Sequence, residues 1–187
     1  MAKRSFPPFV GPRSRVLVLG TLPGEDIDVA VEHITGDIAR PGGPRFGTLV
    51  HALLADVPLA ESGEDVLDRL AAAHGRVLGA EADEIAAAAG IVRRVLRHPL
   101  MAEAARALEQ TRCYRETPIT LRLDSGILIE GNVDLAYHAN GEVVVIDFKT
   151  DRELEGALDV YRRQVQLYAH AIASATGRPA RAVLMKI

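Results

Sequence analysis

Two aspartates and a lysine flank an Asn140-Gly141 dipeptide that predicts a hairpin turn. Asn-Gly is the strongest short signal for a two-residue type I′ turn, which fixes the register of the strands on either side. In this register Asp134 lies directly opposite Asp147, and Asn132 lies opposite Lys149. Because side chains two positions apart share a face of a strand, we predict that Asp134, Asp147 and Lys149 point the same way.

The predicted pair of carboxylates needs a compensating charge. Carboxylates at opposite positions have Cβ atoms about 5 Å apart and repel each other. A shared proton relieves this repulsion, and so does a bound cation, for which hard oxygen ligands favour Mg²⁺ or Mn²⁺. Lys149 beside them could orient or help deprotonate an attacking water, or stabilise charge on a phosphate.

The alternative is a solvated sheet face on which Lys149 is a salt-bridge partner of the aspartates. The residues from Val143 to Ile146, followed by Phe148, are apolar on both faces of the strand, as in a buried central strand. Charged residues at the end of such a strand lie where open α/β sheets place their ligands. The sequence therefore favours a functional site over a solvated face.

Further candidates come from neighbouring segments. Gln164 and Tyr168 share one face of a predicted helix, although Tyr168 also fits the apolar stripe of that helix. Arg163, near the start of the same helix, is a candidate contact whose alternative is a solvated side chain. His51 lies among apolar residues of another helix, where a packed histidine is the alternative to a ligand. Glu116, before the first strand of the sheet, is a further candidate carboxylate.

The elements that position these residues change from helical to strand periodicity along the chain. The order predicts an α/β fold with a helical N-terminal half and a mixed sheet. The predicted helices are Phe46–Ala55, Glu64–Leu78, Ala82–Arg97, Pro99–Gln110 and Tyr161–Ala175, the last ending at Gly177; the predicted strands are Arg15–Gly20, Ile119–Leu123, Ile127–Tyr137, Val143–Phe148 and Ala180–Ile187.

Composition narrows the class of protein. The chain has 187 residues, of which 48% are hydrophobic and 25% charged, as in an ordinary globular domain. The single cysteine, Cys113, excludes an intrachain disulfide and favours a cytoplasmic location. No apolar run approaches the roughly 20 residues of a membrane span, so we expect no membrane partner. The net charge of −3 counts mildly against autonomous DNA binding.

Taken in order, the motifs resemble those of PD-(D/E)XK nucleases of the RecB/AddA type. Gly131–Leu135 resembles the G-x-[VI]-D-L motif, Val145–Arg152 the [VI]-D-[FY]-K-T-D motif, and Tyr161–Tyr168 the Y-x-x-Q-x-x-x-Y motif. Upstream, Arg45–His51 resembles the G-T-x-x-H helix of this family. We therefore assign residues 42–187 to a nuclease domain and residues 1–41 to an N-terminal extension.

This resemblance implies a restriction-endonuclease-like fold, a mixed β-sheet core flanked by helices. The implied reaction is hydrolysis of DNA phosphodiester bonds by metal-activated water, as exonuclease or endonuclease, with Mg²⁺ or Mn²⁺ as cofactor. Single-stranded DNA in double-strand-break repair or recombination is the expected context. The implied residues are Asp134, Asp147 and Lys149 for catalysis; His51, Asp134 and Asp147 for the metal; Gln164, Tyr168, Tyr161 and Arg163 for shaping the site and binding DNA; and Glu116 as a further member.

Two departures from the family bear on partners. AddA-type proteins carry this domain at the C-terminus of a large helicase, whereas this sequence has no Walker A motif. We therefore expect DNA as a partner, and ATP-driven unwinding that either comes from a separate helicase subunit or is absent. AddB and the CRISPR-adaptation exonucleases hold an iron–sulfur cluster on four cysteines, which a single cysteine excludes here. The alternative function is a catalytically silent DNA-binding or partner-docking remnant of a helicase–nuclease.

The N-terminal stretch is similar to a different family. Ser5–Pro8 and Arg15–Gly24 resemble the opening of uracil/hypoxanthine-DNA glycosylases of the mismatch-specific type. The resemblance stops at Gly24, and we therefore expect no glycosylase activity.

Overall fold

The computed structural model describes residues 27–34, 41, 43–60, 64–122, 128–150 and 156–187. The predicted strand Arg15–Gly20 and the glycosylase-like stretch lie outside these residues, as do positions 123, 127, 151 and 152 of the predicted strands and motifs. The strands are β1 (Val29–His33), β2 (Cys113–Arg122), β3 (Leu128–Ala139), β4 (Glu142–Lys149) and β5 (Ala180–Lys186); the helices are α1 (Pro44–Asp56), α2 (Glu64–Leu78), α3 (Ala82–Leu96), α4 (Pro99–Glu109) and α5 (Leu158–Thr176).

The strands form a five-stranded mixed sheet in the order β1-β5-β4-β3-β2. β2, β3 and β4 are antiparallel neighbours, whereas β5 runs parallel to both β4 and β1. This arrangement confirms the predicted α/β fold with a mixed sheet flanked by helices. None of the described helices is long and apolar enough to cross a membrane.

The two edge strands are where the predicted boundaries were wrong. β1 was not predicted at all, because the strand is only five residues long and its residues are at most half-buried. It lies before residue 42, so the sheet includes residues of the segment assigned to an extension; the division at residue 41 stays a prediction. β2 begins at Cys113 and not at Ile119. Along this edge strand half-buried positions alternate with exposed ones, and the first half carries polar residues, so its sequence lacks the apolar alternation by which a strand is predicted. Pro118 is tolerated there because an edge strand can spare one backbone donor.

Each face of the sheet supports a separate core. On one face, α1 to α4 pack against a cluster that includes Tyr137, Val144, Ile146 and Met185. On the other face, α5 packs against a smaller cluster that includes Val145 and Leu184. Because β4 lies between the two layers, every residue from Val143 to Lys149 is buried. Gly177, with φ 65° and its N–H bonded to Ala173 O at 2.9 Å, ends α5 as predicted.

The hairpin turn has the predicted geometry. Asn140 and Gly141 have φ values of 51° and 87°, the two positive values that a type I′ turn requires. The registered pairs run from Ala139–Glu142 to Leu135–Ile146. The predicted register is thus confirmed along the hairpin, and its regular pairs end one position short of Asp134 and Asp147.

The alternation of side chains along β3 shifts by one residue at Asp134. Val133 belongs to the core under α5, as does Ala136, whereas Leu135 and Tyr137 belong to the opposite core. Strict alternation cannot place both Val133 and Ala136 on one face. Across the ladder, Glu116 has φ 46°, a left-handed backbone that is rare outside glycine. The argument from simple alternation therefore does not hold at Asp134, because a local irregularity in both strands sets its direction.

α5 approaches β3 closely at Gly131. A Cβ atom built on Gly131 would lie 2.6 Å from Cε1 and 2.7 Å from the hydroxyl oxygen of Tyr168. The Tyr168 ring therefore rests on bare backbone, and a side chain at position 131 would occupy its place. The same hydroxyl accepts a hydrogen bond from Gln164 Nε2 at 2.7 Å, which fixes the ring. Three motif residues on two elements thus form one packed unit.

We expect Gly141→Ala to lower the free energy of unfolding by about 1–2 kcal/mol, because alanine is strained in the left-handed region. Asn140→Gly is the matched control and should change stability by less than about 0.5 kcal/mol, since glycine accepts the same positive φ. Urea unfolding of both variants measures the difference. Equal midpoints for Gly141→Ala and the unmodified chain would contradict the assigned turn.

Gly131→Ala should destabilise the protein by about 1–3 kcal/mol, because the added methyl overlaps the fixed ring of Tyr168. In a Tyr168→Leu background the same substitution should cost little, since the overlapping ring atoms are gone. The double-mutant cycle, measured by urea unfolding, isolates this contact. Additive effects of the two substitutions would show that the ring and Gly131 do not touch.

A buried carboxylate–lysine site at the end of the central strand

Asp147 is a buried carboxylate at the end of β4. Its residue is 2% exposed, and among the described residues no donor makes a well-oriented hydrogen bond to its Oδ2 atom. Lys149 Nζ lies 2.6 Å from this oxygen as an ion pair. Burial raises the pKa of Asp147 to about 6; the ion pair with Lys149 opposes this rise, and the charge of Asp134 adds to it. Burial and the neighbouring aspartate thus disfavour the charged form of this carboxylate, whereas the lysine favours it.

Lys149 is held on several sides. It is 8% exposed, and its ammonium also lies 3.3 Å from Phe148 O, to which it donates. The ammonium sits 5.0 Å from the ring centroid of Tyr161, within the range of a cation–π contact. The structure thus brings Tyr161, at the start of α5, into contact with this lysine.

Asp134 and His51 come from different elements and meet beside the end of β4. Asp134 Oδ2 accepts a hydrogen bond from the backbone N–H of Phe148 at 2.8 Å. His51 Nδ1, from α1, lies 3.8 Å from the same oxygen. Asp134 thus contacts the backbone of β4 between Asp147 and Lys149, and its charge acts on the Asp147 carboxylate. His51 is not merely packed in the core, since its ring faces this carboxylate.

Glu116 also faces this group of residues. It occupies the β2 position across from Asp134, between the registered pairs Arg115–Leu135 and Thr117–Val133. Burial raises the pKa of Glu116, and the charge of Asp134 raises it further. Asn132 Nδ2 donates a hydrogen bond to Glu116 Oε2. The left-handed backbone of Glu116 marks local strain of the kind that accumulates at functional sites.

The remaining sequence candidates lie on α5. Burial raises the pKa of the Tyr168 hydroxyl, and the charges of Asp147 and Asp134 contribute to the rise while Gln164 opposes it. Gln164 Oε1 is buried with no hydrogen-bond donor among the described residues. Gln164 and Tyr168 therefore form one polar pair within reach of the carboxylates. Arg163 is exposed on the same helix.

The sequence analysis did not predict the contacts of two residues near the site, Asn132 and Arg115. Asn132 was expected opposite Lys149, but it bonds Glu116. Arg115 was not singled out, although its guanidinium binds the end of α1. No spacing rule predicts either contact, because one depends on the irregular backbone at Glu116 and the other on the packing of a helix against a strand.

The donor set fits a hard divalent cation. Its members are the carboxylate oxygens of Asp134 and Asp147 and the imidazole of His51. Within the described ranges, no three His, Cys, Asp or Glu side chains lie close enough to form a complete metal cluster. Mg²⁺ in proteins is commonly held by one or two carboxylates and completes its shell with water and substrate phosphates, so two carboxylates can suffice for such an ion.

Known proteins with similar sequences agree with this chemistry. The chain is similar to an ATP-dependent helicase/nuclease subunit of Clostridium kluyveri, with 29% identity over 73 residues, 38% of this chain and 6% of that protein. It is also similar to the helicase/nuclease subunit of the same name from Clostridium acetobutylicum, with 26% identity over 104 residues, 46% of this chain and 8% of that protein. The chain thus spans only 6% to 8% of the length of these relatives.

These relatives confirm the resemblance to nucleases of the RecB/AddA type. The central strand ends in a carboxylate and a lysine two residues apart, and the motifs follow in order on α1, β3, β4 and α5. The family model described as "PD-(D/E)XK nuclease superfamily" matches residues 30–187, which include all ten described helices and strands except the first residue of β1. The chain belongs to the PD-(D/E)XK nuclease superfamily.

Proposed function

We propose that this protein is a Mg²⁺- or Mn²⁺-dependent deoxyribonuclease that hydrolyses phosphodiester bonds. The observation that carries the proposal is the Asp147–Lys149 ion pair, buried at the end of β4 and close enough to Asp134 to interact electrostatically with it. Members of the superfamily generally use divalent metal ions. The helicase partner in this proposal is motivated by the helicase/nuclease names of the relatives, whereas single-stranded DNA and a role in double-strand-break repair or recombination rest on the resemblance of the motifs alone.

In this proposal Asp134 and Asp147, with His51 beside them, hold the cation. When bound, the cation would neutralise charge on the scissile phosphate and favour ionisation of the attacking water. Lys149 keeps an ammonium proton next to Asp147 Oδ2, where it orients the water or donates to the phosphate. Water attacks phosphorus, the bond to the leaving oxygen breaks, and the leaving oxygen takes up a proton.

The surrounding residues keep this arrangement in place. Tyr161 packs against the ammonium of Lys149, so the lysine is directed toward the carboxylates. Gln164 and Tyr168 present a polar pair beside them for the DNA strand. Arg163, exposed on the same helix, is proposed to contact a backbone phosphate. Glu116 is proposed as a third acidic residue that faces the same cation.

A second candidate is a catalytically silent module that binds DNA or docks on a partner. The net charge of −3 favours it, because free-standing DNA-binding domains are usually basic. Both candidates agree with membership of the superfamily, and they differ in whether the site binds metal and turns over.

The test of activity is cleavage of labelled single- and double-stranded DNA with Mg²⁺, with Mn²⁺ and with chelator. We expect cleavage only with metal, and a loss of about 10²–10³-fold in rate for Asp147→Asn, Asp134→Asn and Lys149→Met, the range for removal of a transition-state contact. Asp65→Asn, an exposed carboxylate on α2, is the matched control and should keep full activity. Cleavage at the original rate in both Asp147→Asn and Lys149→Met would overturn the proposal.

Metal binding should also stabilise the fold. At a Mn²⁺ concentration 100 times the Kd, the gain is about 2.7 kcal/mol, which corresponds to roughly 5–10 °C in Tm for a domain of this size. The shift should disappear in Asp134→Asn and Asp147→Asn but persist in Lys149→Met, where both carboxylates remain available for the cation. Thermal unfolding with and without Mn²⁺ measures it. No shift in the unmodified chain would favour the silent module.

A further inference from the structure

The C-terminal end of α1 is bound by the guanidinium of Arg115. Arg115 Nη1 lies 2.8 Å from Ala55 O and 2.5 Å from Val57 O, with Leu54 O further away at 3.4 Å. The last carbonyls of a helix have no partner within the helix, and the dipole places negative charge there. The half-buried Arg115 therefore supplies both hydrogen bonds and positive charge to this end of α1.

The same arginine belongs to the strand that carries one of the carboxylates. Arg115 precedes Glu116 on β2, and it is registered with Leu135, the neighbour of Asp134 on β3. One side chain thus joins α1 to β2 at a position next to Glu116, whose backbone is irregular. Arg115 itself contacts none of the proposed metal ligands in the hydrogen bonds that the structure describes for it.

His51 lies one helical turn before Ala55, on the helix that this arginine caps. An axial displacement of α1 would move the His51 ring by a similar distance relative to Asp134, from which it is separated by 3.8 Å. At the other end of α1, Arg45 pairs with Glu84 of α3 at 2.7 Å. That contact ties α1 to the helical layer, whereas Arg115 ties it to the strands that carry the carboxylates.

We propose that Arg115 is a positioning residue of this site, which holds α1 so that His51 and Asp134 face one cation. The inference rests on the proposed function for the identity of the ligand. Residues that orient metal ligands typically change metal affinity by about 10- to 100-fold when they are substituted. A purely structural cap would instead change stability and leave the metal affinity of the folded protein unchanged.

The test compares Arg115→Met with Arg93→Met in the full chain. Arg93 Nη2 lies 2.9 Å from Asp68 Oδ1 and joins α3 to α2, so its loss removes an interhelical arginine contact outside the site. By calorimetric titration with Mn²⁺, we expect about tenfold weaker binding for Arg115→Met and unchanged binding for Arg93→Met. Arg115→Lys should recover part of the loss, because an ammonium can still donate to one of the two nearer carbonyls.

A double-mutant cycle identifies the residue through which Arg115 acts. In a His51→Ala background, Arg115→Met should weaken Mn²⁺ binding by less than about twofold, because the ligand that it positions is absent. A full tenfold effect in that background would contradict a role through His51. Equal Mn²⁺ affinity of Arg115→Met and the unmodified chain would overturn the inference and leave the proposed function standing.

A metal-free measurement separates the inference from the proposed function. In chelator, the imidazole resonances of His51 in ¹H–¹⁵N spectra should shift in Arg115→Met and stay in place in Arg93→Met. If the unmodified chain binds no Mn²⁺, the proposed metal site fails, and unmoved His51 resonances would then overturn the positioning role as well. If Arg115→Met does not fold, Arg115→Lys takes its place: weaker Mn²⁺ binding supports the inference and unchanged affinity overturns it.

Discussion

Burial of the Asp147 carboxylate, between apolar layers on both sides of β4, is unfavourable unless positive charge lies close by. Lys149 provides one such charge, two residues further along the strand, and Tyr161 packs on its ammonium. Asp134 and Glu116 are two further acidic residues near Asp147, so the acidic side chains here outnumber the lysine, and their charges favour the binding of a cation. Much of the local architecture follows from this excess of acidic groups, because β4 is buried along its length and the Asp147 carboxylate near its end is not solvated by water.

The neighbouring elements meet this constraint in different ways. The backbone of β4 donates to Asp134, and α1 turns His51 toward the same oxygen. α5 covers the site with Tyr168, which can approach only because position 131 has no side chain. The family motifs therefore divide into two kinds of residue. Some, such as Asp147 and Lys149, are the residues to which we assign the chemistry, and others, such as Gly131, provide the space that Tyr168 occupies beside them.

Much of this arrangement could be predicted from the sequence. The Asn140-Gly141 turn fixed the hairpin register, and the apolar run of β4 indicated a central strand before any family was considered. The edge strands were harder to predict, because β1 and the first half of β2 carry half-buried or polar residues whose pairing depends on distant partners. The contacts of Arg115 and Asn132 were beyond prediction for the same reason: hydrogen bonds between residues far apart in sequence leave no periodic signal.

The one-residue shift at Asp134 has a consequence for transplanting this site into another protein. In a regular hairpin the side chains of each strand alternate strictly between the two faces. A designer who copied Asp134, Asp147 and Lys149 onto such ideal strands would therefore give the Asp134 carboxylate the wrong direction. The unusual backbone at Glu116 on the adjacent strand would have to be copied with them. The smallest unit that could be transplanted with the geometry of these three residues is therefore β2, β3 and β4 with their irregular backbone, and the side chains alone would not reproduce it.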